Sequence, residues 1–192
     1  MEMPHIDTPG HAKAVRIAVW ALIVSDAVFV VAIYAAFIYL HALHTQGAFK
    51  PATESRPSVV GSLLVTAGSV VAALAYAWGQ KGMHSRDSGR LRTGVMLAVG
   101  VSLVALVGDL VVFADLNYPA PLHAYGSFIS LFILYHAIRH LVVGVLIGAL
   151  VLGRLLKGRL AGRDYVVQAT GYWFWWIAIT AIVQLVLMIT IS

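Results

Sequence analysis

Five stretches of this chain are apolar for long enough to cross a lipid bilayer, and no other property limits its fold as severely. A spanning helix needs about 20 predominantly apolar residues, and residues 15–40, 58–79, 94–116, 124–153 and 167–191 each reach that length. In hydrocarbon, backbone N–H and C=O groups must be paired within the segment or in a closed barrel, so runs of this length predict helices. The connections are too short for a separate soluble catalytic domain. Residues 1–192 are therefore expected to form one all-α domain, a polytopic bundle of five transmembrane helices. Composition agrees, with 60% of residues hydrophobic and 11% charged. The first run is too long for the core of a cleaved signal peptide, so it is expected to remain as helix one.

Basic residues predict the orientation, because cytoplasmic loops collect Lys and Arg near the helix ends. Lys13 and Arg16 precede helix one, Lys81, Arg86, Arg90 and Arg92 join helices two and three, and Arg154, Lys157, Arg159 and Arg163 join helices four and five. Of the 13 Lys and Arg, only Lys50 and Arg56 fall on the opposite side, and Arg139 lies within a span. The N-terminus is expected in the cytoplasm and the C-terminus outside. The net charge of +5 resides in these loops and so indicates topology and contact with anionic lipid, with no support for nucleic-acid binding. Prolines in YPAP, residues 118–121, are expected to end helix three and turn the chain.

The chain has no cysteine. This excludes thioether haem attachment, thiolate metal sites, iron–sulfur clusters and disulfides, and leaves histidine and carboxylate as the available metal ligands. Small residues in helix two, among them Gly68 and Ala72, and the Gly144 and Gly148 pair in helix four predict close helix–helix contact. The aromatic run YWFWW, residues 172–176, is expected to anchor helix five at the membrane interface.

Polar residues inside the spans carry the functional question. Asp26 lies about 16 Å into helix one and Arg139 about 21 Å from the cytoplasmic end of helix four, so both sit near the midplane. A charge there costs on the order of 3 kcal/mol even on lenient scales, so each must face protein, pair, or become neutral. Asp26 and Asp109 compete as partners for Arg139. His136, Arg139 and His140, spaced i, i+3 and i+4, are expected on one face of helix four. Axial haem ligation needs an opposing histidine at similar depth, and His41, His44 and His123 all lie nearer the outer side. Metal ligation by the i, i+4 pair meets the positive charge of Arg139 between them. A structural network of Asp26, Asp109, His136, Arg139 and His140, with no haem or metal bound by this chain, is the favoured expectation.

The chain resembles subunit III of the haem-copper respiratory oxidases in the short five-helix form of bacterial quinol oxidases. In WALIVSDAVFVVAIYAAFIYL, Trp20, Ser25, Asp26 and Phe29 match that family's opening segment. His140 and Gly144 fit the spacing of the family's His-Gly-x-His-Val helix, although Ala137 stands at the first histidine and His136 is displaced by one. Tyr172 and Trp173 resemble the Tyr-Trp that opens its last helix, while Phe174 and Ile177 replace its usual His and Asp. Asp109 and Asp115 are all that answers to its paired glutamates in helix three.

The resemblance implies a non-catalytic accessory subunit of a proton-pumping terminal oxidase in a bacterial inner membrane. It further implies packing against the catalytic subunit I and subunit II, which hold the haem and copper, together with bound phospholipid and support of proton uptake. It also favours Asp26 as a carboxylate kept neutral near the proton-uptake route over Asp26 paired with Arg139. The alternative is a haem-b-binding membrane anchor of a respiratory dehydrogenase or reductase, another class that uses five helices with histidine ligands.

Overall fold

The structure, a computed structural model, describes residues 9–43, 49–50, 56–85, 87–116, 123–160 and 163–191. Among these residues there is no strand. Helix α1 spans Pro9–Ala42, α2 Val59–His84, α3 Ser88–Ala114, α4 Ala124–Leu156 and α5 Asp164–Thr190. All five are long and apolar enough to cross a membrane. The YPAP turn lies outside the described residues, as do His44 and Arg86.

Most helices overrun the apolar runs, because hydropathy marks what lies in hydrocarbon while helical hydrogen bonding continues to the next cap. Asp87 caps α3 by accepting from the Arg90 amide at 3.0 Å, seven residues before the apolar run begins. Ser58 caps α2 through the Gly61 amide at 3.1 Å, and His123 caps α4 through Gly126 at 3.2 Å.

The tightest packing joins α2 to α3. A Cβ on Gly94 would come within 2.4 Å of the Gly79 Cα, so the two backbones touch where neither residue has a side chain. Farther along the same pair, Gly68 faces Ala105 and Gly108 faces Val65. Helix α4 crosses α3 with Gly144 against Ser102 and Gly148 against Val99. Of the small residues marked in the sequence, Gly68, Gly144 and Gly148 thus meet one helix, α3, from α2 and α4, and Ala72 is fully buried.

Helix α5 covers α2, where Phe174 stacks on Tyr76 at 4.6 Å and Tyr76 and Gln80 both donate to the Val167 carbonyl, at 3.0 and 2.9 Å. Arg16 donates to Gln168 Oε1 at 2.9 Å, so the starts of α1 and α5 share one end of the bundle with the α2–α3 connection. Helix α1 forms the flank against α5 and α4. It is apolar nearly all round and leaves Leu22, Val24, Val28, Val31 and Ile38 exposed, as a helix bordered by lipid or another subunit would be. At the other end, Phe37, Phe49, Tyr125, Phe128 and Phe132 form an aromatic cluster with Phe37 at its centre.

One feature of α4 has no counterpart in the sequence reading. Residues His140–Ile147 form a π-helical segment, a wider turn that is rare and concentrates at functional sites.

Candidate functional site

Helix α4 carries two polar clusters on different flanks, and the residues expected to share one face are divided between them. Three-residue and four-residue steps differ by about 100° of rotation on a helix. That difference sends Arg139 towards α5 and α1 while His136 and His140 turn towards α2 and α3.

The first cluster surrounds Asp26. The Tyr135 hydroxyl donates to its Oδ1 and the Trp176 indole N–H to its Oδ2, and Arg139 Nη1 lies 3.5 Å from Oδ2. The same Nη1 donates to Thr180 Oγ1 at 2.8 Å, and the guanidinium lies 4.7 Å over the Tyr135 ring. Tyr34 donates to the Thr180 carbonyl at 3.1 Å, tying α1 to α5 beside the pair. Arg139 is 5% exposed, so its charge is sustained by these contacts and not by water. All three of these neighbours of Asp26 are donors, which is the setting of a carboxylate held against a guanidinium. This geometry places Arg139 beside Asp26 and not beside Asp109, whereas the resemblance favours a carboxyl kept neutral over that pair.

The second cluster joins α2, α3 and α4. Both Asp109 oxygens lie near His136 Nδ1, at 3.0 and 3.1 Å, so the imidazole N–H is shared between them. Ser69 Oγ lies 3.3 Å from His136 Nε2 and 2.9 Å from His140 Nε2. The two imidazoles meet edge to face with ring centroids 4.6 Å apart. All four side chains are buried. Asp109, His136 and His140 each direct a potential ligand atom into the same space, with all three atoms within 4.8 Å of one another.

Of the residues that carry the family resemblance, Trp20, Phe29, Asp26 and Tyr172 lie along the contacts of α1, whereas His140 and Gly144 face α2 and α3. Trp20 lies 5.2 Å from Tyr172, and Phe29 lies 5.0 Å from Tyr135. Trp173 is half-buried, and Ser25 is exposed and makes no described hydrogen bond. The aromatic run 172–176 departs from a purely interfacial role: Phe174 is buried against Tyr76, and Trp176 turns inward to Asp26, while Trp175 stays exposed. An indole N–H requires a partner where water is absent, and Asp26 supplies it.

Sequence reading missed Ser69, Tyr135, Trp176 and Thr180. Ser69 passed as one more small residue of α2. Thr180 and Gln184 did leave a signal, being polar residues one helical turn apart in an apolar run, both buried. The chain matches no protein-family model and no curated protein.

Proposed function

We propose that this chain is a non-catalytic accessory subunit of a proton-pumping haem-copper terminal oxidase, of the subunit III type in its five-helix form. In this reading it lies in the cytoplasmic membrane of a bacterium with its N-terminus inside, since the basic ends of all five helices lie at that side. It holds phospholipid, packs against catalytic subunit I and subunit II, and supports proton uptake by those subunits. Haem and copper belong to the partners.

The observation that carries the reading is the contact between Trp20 on α1 and Tyr172 on α5, two resemblance-bearing residues far apart in the chain whose rings lie 5.2 Å from each other. Phe29 and Asp26 lie on the same flank of α1, against Tyr135 and Trp176. His136 and His140 project from one helix with ring centroids 4.6 Å apart and both face Ser69, so they do not supply axial ligands from two opposing helices, which disfavours the haem-anchor alternative.

Affinity purification of the tagged chain from its native membrane tests this. The expected result is a complex whose larger subunits contain haem and copper, with no haem spectrum in the separated chain. A reduced haem-b band in the separated chain would establish the anchor reading instead.

A further inference from the structure

We propose that Asp109, His136 and His140 form a binding site for a divalent first-row transition-metal ion in the interior of the bundle. One carboxylate and two imidazoles are the donor set of zinc and non-haem iron centres. The three ligand atoms lie within 4.8 Å of one another. Ligands on a tetrahedral ion at about 2.0–2.1 Å stand roughly 3.3 Å apart, so side-chain rotations that shorten the widest separation by up to about 1.5 Å close the set. His136 Nδ1 and Asp109 Oδ2 already stand at 3.0 Å, and binding through Nδ1 would move the ring hydrogen to Nε2, which lies 3.3 Å from Ser69 Oγ.

Three further observations point the same way. First, Arg139 does not stand between the two imidazoles: its guanidinium turns to the other side of α4, where Asp26 lies 3.5 Å from it. Second, the hydrogen bonding of the cluster does not close. Each neutral imidazole has one N–H and one lone pair. With the His136 N–H on Asp109, His136 Nε2 presents its lone pair to Ser69, whose single hydroxyl hydrogen also has the Val65 carbonyl as an acceptor at 3.0 Å. His140 Nε2 meets the same hydroxyl at 2.9 Å, and His140 Nδ1 has no hydrogen-bond partner although the residue is only 1% exposed, so either tautomer of His140 leaves one ring nitrogen unpaired. A buried polar atom left unpaired is costly, and an imidazole lone pair that lacks a hydrogen can be taken up by a cation.

Third, there is room for a remaining ligand. A cavity of about 20 Å³ adjoins Asp109 and His136 and is bordered by Thr66 and Gln184. That volume admits one water molecule, the common occupant of an open coordination position. The π-helical segment also begins at His140, re-aiming α4 where the third ligand projects. The site stands apart from the oxidase reading, because it uses the flank of α4 that faces α2 and α3.

The test uses the full chain in nanodiscs, stripped of metal and titrated with Co²⁺ and then Zn²⁺. The expected result is one Co²⁺ per chain with visible d–d bands of nitrogen and oxygen ligation, displaced by Zn²⁺. Asp109→Asn, which keeps the side-chain shape, and His140→Gln should each weaken binding at least tenfold. Ser69→Ala removes the hydrogen-bonding hub but no proposed ligand, so it should retain the bands and the Zn²⁺-induced rise in Tm. His5→Ala with His11→Ala should leave the stoichiometry unchanged. Absence of Co²⁺ bands in the wild-type chain overturns the proposal, as do bands of wild-type affinity in Asp109→Asn or His140→Gln. Loss of the Zn²⁺ effect in folded Ser69→Ala would overturn it too, leaving a hydrogen-bonded network in its place.

Discussion

Arg139 Nη1 on α4 stands 3.5 Å from Asp26 Oδ2 on α1, and the two side chains are both largely withdrawn from solvent. Apart from this pair and the rings around it, α1 has few polar ties to the rest of the bundle. Removing one partner of a buried pair leaves an uncompensated charge and costs about 3–5 kcal/mol. Asp26→Ala should therefore lower stability by about that amount, and Asp26→Ala with Arg139→Leu should recover part of it. Denaturant titration of the three proteins in detergent checks this. No recovery in the double variant would show that Arg139 is sustained by other contacts.

Thr180 is the second anchor of Arg139, accepting from Nη1 at 2.8 Å. Hydrogen bonds to charged groups contribute about 1.5–3 kcal/mol. Thr180→Val should cost about that much, while Thr180→Ser keeps the hydroxyl and should cost less than half as much. Equal losses in both variants would point to the methyl group instead. Thermal unfolding distinguishes the two outcomes.

Gly144 offers a test of the α3–α4 contact. A Cβ there would lie 2.5 Å from Ser102 Cβ and 2.6 Å from its Oγ. Overpacking of this kind costs about 1–3 kcal/mol, so Gly144→Ala should destabilise the bundle and Gly144→Leu should sharply reduce its yield. Because the obstruction is a side chain, Ser102→Gly in the Gly144→Ala background should restore stability. A double-variant cycle measures that coupling.

Gly94 should behave differently, because a Cβ there meets backbone: Gly79 Cα at 2.4 Å, Gly79 N at 2.7 Å and Ala75 O at 2.8 Å. No substitution on α2 can relieve the contact, so Gly94→Ala must spread the α2–α3 pair apart. Gly100 on the same helix would meet nothing within 4 Å. Gly100→Ala should be neutral or stabilising by up to about 1 kcal/mol, from helix propensity. Comparing the Tm of the two single variants checks both statements. Similar Tm values would mean that the close approach of α2 and α3 carries little of the stability.

The sequence by itself determined the number of membrane-length helices, their order, and the depth of the polar residues. Transfer into hydrocarbon is scored residue by residue along the chain, and a helix of about 1.5 Å rise per residue converts position into depth without reference to any neighbour. For the same reason it marked Gly68, Ala72, Gly144 and Gly148 as sites of close approach, and it named Asp26, Asp109, His136, Arg139 and His140, which the bundle buries or half-buries. Only the tertiary structure decided how these residues combine. Asp26 and Asp109 were both at credible depth for Arg139, and the choice between them turned on the rotation of α4 about its axis. That rotation is set by packing of Gly144 and Gly148 on α3 and by Tyr135 and Trp176 meeting Asp26 from α4 and α5. The same rotation separated His136 and His140 from Arg139 and brought Ser69 between the two imidazoles. Depth is a local property of a helix, whereas facing is a joint property of every helix packed against it.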